Sequence, residues 1–298
     1  MSIKNVTVAG SGVLGSQIAF QTAFHGFNVS VYDINDEAIS KAKLFLSSLK
    51  DRYKKDLNAS QEKVDKTFES IHFYTDLAAA VANADLVIEA VPENPAIKTD
   101  FYTKLSKSAP EKTIFVSNSS TLLPSAFAQA TGRPAQFLAL HFANEIWLHN
   151  TAEIMGHPGT DPEIFQQIIA FSKAIGMVPL PVLKEQPGYV LNSLLVPLLD
   201  AAMELLVKEV ADPETIDKAW MLGTGAPVGP CGIYDVVGLN TVYNINKIKA
   251  DKQGDELSKK TLEYIKNNFI DKGKLGVTTG QGFYTYPDPA YKRTDFLK

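Results

Sequence analysis

Short apolar segments alternate with amphipathic segments along the first 184 residues. The apolar segments are rich in β-branched and aromatic residues, as buried parallel strands are. They lie at residues 6–9, 28–32, 71–74, 85–91, 113–117, 137–140, 151–155 and 177–182. Helical spacing predicts helices after residue 13 and at residues 36–56, 60–68, 76–81, 97–108 and 162–176. This alternation predicts an α/β domain with a doubly wound sheet.

The pattern changes near residue 184, beyond which no strand pattern occurs until the tail. Helices are predicted over most of residues 189–269, with a Gly- and Pro-rich interruption at residues 223–232 and a loop leading into an extended aromatic segment at residues 278–286. The most apolar stretch, residues 190–207, contains Pro197, Asp200 and Glu204, so a buried helix is expected there and not a membrane span. We therefore predict two domains, residues 1–184 and an all-α domain at residues 185–298.

The first strand runs into a glycine-rich turn, Gly10-Ser11-Gly12-Val13-Leu14-Gly15, that opens a helix. Gly10 allows the sharp turn, Gly12 lets the backbone approach a pyrophosphate, and Gly15 lets helix and strand pack closely. Asp33 ends the second strand, where a carboxylate can accept the ribose 2′-hydroxyl and repel a 2′-phosphate. The arrangement predicts a Rossmann-type NAD site. The alternative is a glycine turn in an ordinary βαβ unit, with Asp33 merely solvated.

His141 differs from the other four histidines because it lies at the carboxyl end of a predicted strand, where ligands bind in open α/β sheets. An imidazole titrates near neutral pH and can take the proton of a substrate hydroxyl group. Glu153, on the next predicted strand, could orient the ring. The alternative is a packed, hydrogen-bonded histidine.

The polar cluster at residues 118–121 also ends a predicted strand. It could face a ligand, or its Ser and Thr side chains could cap a helix after Leu122. The two predicted helices at residues 36–70, called here the helical hairpin, are rich in lysine. The hairpin either covers a ligand or is a solvated decoration.

Composition excludes several classes of protein. The 298 residues carry a net charge of −4 and no basic run interleaved with aromatic residues, so no nucleic-acid partner is expected. The single cysteine, Cys231, cannot form an internal disulfide and is interpreted as structural, in a turn; a reducing compartment, the cytoplasm, is expected. The chain begins directly with a strand, so no signal peptide is expected. No metal site and no membrane partner are expected.

The order and spacing of several motifs resemble the L-3-hydroxyacyl-CoA dehydrogenases, including the short-chain 3-hydroxybutyryl-CoA type. The resemblance covers nearly the whole chain. Its markers are the glycine turn with Asp33, Glu89-Ala90-Val91-Pro92-Glu93-Asn94 with Lys98, Asn118-Ser119-Ser120, His141-Phe142-Ala143-Asn144, Pro187-Gly188-Tyr189-Val190-Leu191-Asn192, Pro227-Val228-Gly229-Pro230, Asp235-Val236-Val237-Gly238-Leu239 and Gly280-Gln281-Gly282-Phe283-Tyr284.

The resemblance implies a role for each matching residue. His141 would be the general base, Glu153 its orienting partner, and Ser120 and Asn192 would hold the substrate oxygens. NAD would contact Gly10, Gly12, Val13, Leu14, Gly15, Asp33, Glu93, Lys98, Asn118 and Asn144. The helical hairpin would cover coenzyme A, with Ser48 and Lys55 as contacts. The α domain would form a homodimer interface and close over the site.

The chain also departs from the family pattern near the substrate. Glu145 replaces the proline that normally follows Asn144, and Trp147 and His149 are unexpected in the loop beyond it. Ser193 replaces an arginine, and Gln281 a lysine. Three hypotheses follow: a 3-hydroxyacyl-CoA dehydrogenase, a dehydrogenase of a free hydroxy acid of the gulonate dehydrogenase and lambda-crystallin branch, or a non-catalytic NAD-binding protein.

Overall fold

The computed structural model describes residues 3–254 and 256–298, without the side chains of Lys252 and Gln253. The chain divides into two compact units, Met1–Val190 and Leu191–Lys298. The boundary predicted at residues 184/185 lies slightly earlier, in the segment between the last strand and the first helix of the second unit.

The first unit contains a single eight-stranded sheet with the strand order β3-β2-β1-β4-β5-β6-β7-β8. The strands are β1 (Asn5–Ala9), β2 (Asn28–Tyr32), β3 (Ile71–Tyr74), β4 (Leu86–Glu89), β5 (Ile114–Ser117), β6 (Phe137–Phe142), β7 (Thr151–Met155) and β8 (Val178–Val182). Its helices are α1 (Val13–Phe24), α2 (Asp36–Leu57), α3 (Gln61–Glu69), α4 (Leu77–Val81), α5 (Pro95–Ser108) and α6 (Pro162–Ala174). The predicted fold class, a Rossmann-type doubly wound sheet, is confirmed.

All neighbouring strands are parallel except β6 and β7, which are antiparallel. The sequence pattern did not predict this reversal. Its physical reason is the short connection at residues 143–150, which contains no helix to carry the chain back across the sheet. The reversal places residues of β7 directly opposite those of β6, and this pairing builds the site described below.

Each face of the sheet has its own apolar core, as expected where successive side chains of a strand point to opposite faces. Val8 and Ile88 pack with Ile18 of α1 on one face. Val87 and Phe115 pack with Tyr102 of α5 on the other face. Burial on both faces explains why the strands are apolar almost throughout.

The second unit contains helices α7 (Leu191–Val207), α8 (Pro213–Thr224), α9 (Pro230–Val237), α10 (Leu239–Gln253) and α11 (Glu256–Asn268). Within the described residues, no helix combines the length and the apolar character that a bilayer-spanning segment requires. The helix predicted at residues 190–207 is α7, but it is buried on one side only: Leu199, Met203 and Leu206 are buried, whereas Leu191, Leu194, Val196 and Leu205 are exposed in the single chain.

Two local predictions are also wrong. No α-helix lies between Leu122 and β6; this segment forms two 3-10 turns, Pro124–Ala126 and Pro134–Gln136, neither of which has a side-chain cap. Cys231 is not in a turn, because Pro230 begins α9 there and the thiol is buried inside the second unit. Its amide donates a hydrogen bond to Asp217, which supports a structural role.

Candidate active site

The chain crosses from one face of the sheet to the other between β1 and β4, and ligands bind at such switch points. A cavity of about 290 Å³ lies at this place. It brings together predicted coenzyme and substrate residues that are far apart in sequence. Those lining it are Gly12, Val13, Leu14, Gly15, Glu93, Lys98, Asn118 and Ser120.

The glycine turn has the shape that a pyrophosphate requires. Gly10 has φ +97°, a backbone conformation that favours glycine, and a side chain at Gly15 would overlap the carbonyl oxygen of Gly10. At Gly12, no atom of the described residues lies within 4 Å of where a Cβ would be, so the approach to the turn is open. Among the same residues, no side chain caps α1, which leaves its first amide groups available to an anion. These residues therefore fit a dinucleotide.

Asp33 directly follows β2 and holds the glycine turn. Its Oδ2 accepts hydrogen bonds from the amide of Ser11 at 2.7 Å and the hydroxyl of Ser11 at 2.6 Å. Its Oδ1 accepts the amide of Ile34 at 2.8 Å. The carboxylate is half-buried. It can both fix the turn and present a negative charge to a ribose.

Replacing Asp33 by alanine is expected to weaken NADH binding about ten- to a hundredfold, because charge-assisted hydrogen bonds contribute about 1.5–3 kcal/mol. The preference for NADH over NADPH should shrink, since the repelling charge is gone. Fluorescence titration with both coenzymes measures the two dissociation constants. The control is Asp100→Ala, which removes another aspartate, one that forms an exposed ion pair with Lys104. An unchanged NADH/NADPH ratio would contradict the role assigned to Asp33.

His141 and Glu153 form a buried pair across the antiparallel strands. They are register partners on β6 and β7, and their side chains are only 7% and 3% exposed. The imidazole Nδ1 donates to Glu153 Oε2 at 3.1 Å, while Nε2 accepts the hydroxyl of Ser120 at 3.1 Å. The carboxylate therefore fixes the ring so that Nε2 faces Ser120, which lines the cavity.

A second buried charge pair lies beneath the cavity, between Glu89 at the end of β4 and Lys98 in α5. Their Oε1 and Nζ atoms are 2.6 Å apart, and both side chains are at most 1% exposed. The other carboxylate oxygen of Glu89 accepts hydroxyl groups from Tyr102 at 2.8 Å and Ser117 at 2.7 Å. Every oxygen of this buried carboxylate is satisfied, as a charge in an apolar interior requires.

Glu93 connects this pair to the cavity wall. The Oε2 atom of Glu93 lies 3.3 Å from Lys98 Nζ. Its Oε1 atom accepts hydrogen bonds from the hydroxyl of Ser119 and from both the amide and the hydroxyl of Thr121. Burial raises the pKa of Glu93, but the hydrogen bond from Ser119, the charge of Lys98 and the bonds from Thr121 outweigh it, so the pKa lies below its ordinary value. Glu93 therefore stays ionised at neutral pH and holds the 119–121 segment in place.

The remaining predicted residues lie in different surroundings. Asn118 accepts the amide of Phe142 at 3.0 Å, which fixes the end of β6 beside the cavity. Asn144 is exposed two residues beyond β6 and is not among the residues that line the cavity. Ser48 and Lys55 are exposed on α2, where the hydroxyl of Ser48 donates to the carbonyl of Phe45. Asn192 lies in the first turn of α7, in the second unit.

The loop that departs from the family pattern is tied to the helical hairpin. Glu145 forms an ion pair with Arg52, whose guanidinium lies over the ring of Trp147. The indole Nε1 of Trp147 donates to Asp56 at 3.0 Å. Trp147 is 5% exposed, so the hairpin covers this loop and is not merely a solvated decoration.

Sequence reasoning assigned no role to Glu89 or Tyr189. Glu89 carried a signal, because an acid inside an otherwise apolar strand must be paired. Tyr189 lies in a segment that resembles the family, but nothing in its sequence surroundings indicates that its ring stacks on His141.

Comparisons with known proteins give one consistent family. A family model described as "3-hydroxyacyl-CoA dehydrogenase, NAD binding domain" matches residues 5–186, and one described as the C-terminal domain matches residues 188–286. The human mitochondrial hydroxyacyl-coenzyme A dehydrogenase is 36% identical over 95% of this chain and 91% of its own length. A probable 3-hydroxybutyryl-CoA dehydrogenase of Bacillus subtilis is 33% identical over 97% of this chain and 99% of its own.

The fold also matches a solved structure of a diketoreductase, which is described as acting on dicarbonyl compounds. That chain is 57% identical, with a TM-score of 0.92, over 96% of this chain and 100% of the diketoreductase.

Proposed function

This chain belongs to the 3-hydroxyacyl-CoA dehydrogenase family, and we propose that it oxidises the 3-hydroxyl group of a short-chain 3-hydroxyacyl-CoA to a 3-oxo group, reversibly. NAD supplies the hydride acceptor when it is bound. The observation that carries the proposal is the buried His141–Glu153 pair, whose Nε2 faces Ser120 at the coenzyme cavity.

His141 is proposed as the general base. Its Nδ1 proton is engaged by Glu153, so Nε2 carries the lone pair, which accepts from Ser120 until a substrate hydroxyl takes that place. A substrate hydroxyl placed between Ser120 and His141 would give its proton to Nε2 while Ser120 donates a hydrogen bond to the same oxygen. Glu153 then stabilises the imidazolium that forms, and in the reverse reaction His141 returns the proton. Asn192 is proposed to hold a second substrate oxygen.

The coenzyme is proposed to lie along the glycine turn, with its ribose at Asp33 and its nicotinamide end near Asn118, Glu93 and Asn144. Lys98 is proposed to support the coenzyme site by holding Glu93 in place, because its ammonium group is bound to Glu89 and lies 3.3 Å from the Glu93 carboxylate.

Coenzyme A is proposed to lie against the helical hairpin. Ser48 and Lys55 are two turns apart on α2 and so share one face of the helix. Lys55 forms no ion pair within the described residues and is available to a phosphate, as a lysine point charge suits. The second unit is proposed to form a homodimer.

A second candidate substrate is a dicarbonyl compound or free hydroxy acid without coenzyme A. The observation that favours it is the loop at residues 145–149. The carboxylates of Glu145 and Asp56 lie where the loop meets the hairpin and would repel the phosphates of coenzyme A. Glu145 also pairs with Arg52, so this arginine is not available to a phosphate. The similarity to a diketoreductase agrees with this alternative.

Turnover of NADH with acetoacetyl-CoA and with ethyl acetoacetate separates the two candidates. If coenzyme A is recognised, kcat/KM for acetoacetyl-CoA is higher, and Lys55→Ala lowers it about three- to tenfold because a single charged contact is lost. The same variant leaves ethyl acetoacetate unaffected. Lys66→Ala, which removes an exposed lysine from α3, is the matched control.

A higher kcat/KM for ethyl acetoacetate, unchanged in Lys55→Ala, would contradict the acyl-CoA substrate and favour the dicarbonyl one. Oxidation of NADH with either compound excludes a purely structural NAD-binding protein.

A further inference from the structure

Tyr189 lies against the acid–base pair. Its ring stacks on the His141 imidazole, with centroids 4.6 Å apart and planes 14° from parallel. The side chain is 1% exposed, and its hydroxyl donates a hydrogen bond of 2.8 Å to the carbonyl oxygen of Ser119. The amide of Val190, the next residue, donates to Glu153 Oε1 at 2.9 Å.

These contacts reach every member of the proposed proton-transfer system. The ring touches His141, the following amide holds Glu153, and the hydroxyl holds the backbone next to Ser120, whose own hydroxyl donates to His141 Nε2. We infer that Tyr189 is a positioning residue for the acid–base pair: it fixes the plane of the His141 ring and its alignment with Ser120. The inference rests on the proposed function of His141.

The backbone at this position supports a role beyond filling space. Tyr189 has φ +53°, and Gly188 before it has φ +79°. A left-handed conformation at a residue other than glycine costs roughly 1–2 kcal/mol, and such strain persists where surrounding contacts determine it. Here the stacked ring, the hydroxyl bond and the Val190 amide bond do so.

The Tyr189 hydroxyl is suited to act as a permanent hydrogen-bond donor. Burial raises the pKa of Tyr189, and the charges of Glu153, Glu93 and Glu89 raise it further, so the hydroxyl keeps its proton at neutral pH. The ring face also suits the step in which His141 carries a positive charge, because an aromatic face attracts a cation within about 6 Å. Tyr189 thus holds the ring both before and after it takes the proton.

The test compares Tyr189→Phe, which keeps the stacked ring, with Tyr189→Met, which keeps much of the volume but loses the planar ring. Acetoacetyl-CoA and ethyl acetoacetate are the probe substrates, and the Kd for NADH is measured by fluorescence. Tyr189→Met is expected to lower kcat about 100-fold, since a misplacement of about 1 Å costs that much, with the NADH Kd unchanged. Tyr189→Phe removes one hydrogen bond and should lower kcat only about three- to tenfold.

A spectroscopic readout separates positioning from loss of fold. In histidine-labelled protein, the His141 ring signal is identified by its absence in His141→Ala. Ring-current shielding by Tyr189 should persist in Tyr189→Phe, whereas in Tyr189→Met the signal should move downfield. Tyr234→Met is the matched control, because Tyr234 is also buried and its hydroxyl donates to the carbonyl of Leu199. It should leave kcat per folded molecule and the His141 signal unchanged.

Unchanged kcat in folded Tyr189→Met would overturn the inference, even if the His141 signal moves because the ring current is lost. If that variant does not fold, Tyr189→Phe decides alone: a several-fold loss of kcat at constant NADH Kd supports the inference, and no loss overturns it. Failure of the proposed function looks different, because His141→Ala would then keep its activity.

Discussion

Replacing His141 by alanine is expected to lower kcat about 10³-fold, within the range of 10²–10⁴ that general acid–base catalysis contributes. The Kd for NADH should stay nearly constant, because the imidazole is bound to Glu153 and Ser120 and not to the glycine turn. Stopped-flow measurement of NADH oxidation with acetoacetyl-CoA or ethyl acetoacetate gives the rate, and fluorescence titration gives the Kd.

Glu153→Gln should also lower kcat by orders of magnitude. Glutamine has one acceptor oxygen, so it cannot accept from both His141 Nδ1 and the Val190 amide as Glu153 does. It also carries no negative charge to stabilise the imidazolium. His72→Ala is the control. His72 is exposed on β3, an edge strand of the sheet that is separated from β6 by four other strands. Near-normal turnover in both His141→Ala and Glu153→Gln would contradict the assignment.

Replacing Lys98 by methionine is expected to lower the free energy of unfolding by about 3–5 kcal/mol, the largest stability effect predicted for this chain. The substitution removes the cation that lies 2.6 Å from the Glu89 carboxylate, and both groups are at most 1% exposed. Glu89 would keep the hydroxyl groups of Tyr102 and Ser117 but not its counter-charge. Urea denaturation, followed by far-UV circular dichroism, measures the change.

The control for Lys98→Met lies on the same helix. Lys104 pairs with Asp100 at 2.7 Å, but both side chains are about two-thirds exposed, so Lys104→Met should cost less than about 1 kcal/mol. The double variant Glu89→Leu with Lys98→Met should recover part of the loss, because it removes the stranded charge as well. A loss below about 1 kcal/mol for Lys98→Met alone would show that the buried pair does not stabilise the fold as described.

The strands and the glycine turn could be predicted because their signals are local. A parallel strand buried on both faces must be apolar along its length, and the turn after β1 admits only glycine at Gly10 and Gly15. The same local logic failed after Leu122, where capping residues are present but Pro124 begins only a single 3-10 turn.

The geometry of the candidate site depends on pairings that no local pattern contains. His141 and Glu153 meet because β7 runs antiparallel to β6, a direction that follows from the short connection at residues 143–150 and not from the pattern of either strand. Arg52 reaches Glu145 across the fold, and Tyr189 reaches His141 from a segment that follows the last strand. Residue types identified which groups could do the chemistry, whereas tertiary packing decided which of them touch.

The most direct test is a crystal structure of the protein with NAD⁺ bound. If His141 is the base, the nicotinamide ring will lie beside Ser120, with its reactive carbon facing the edge of the imidazole that carries Nε2. A nicotinamide that lies elsewhere, with protein side chains packed between it and His141, would contradict the account.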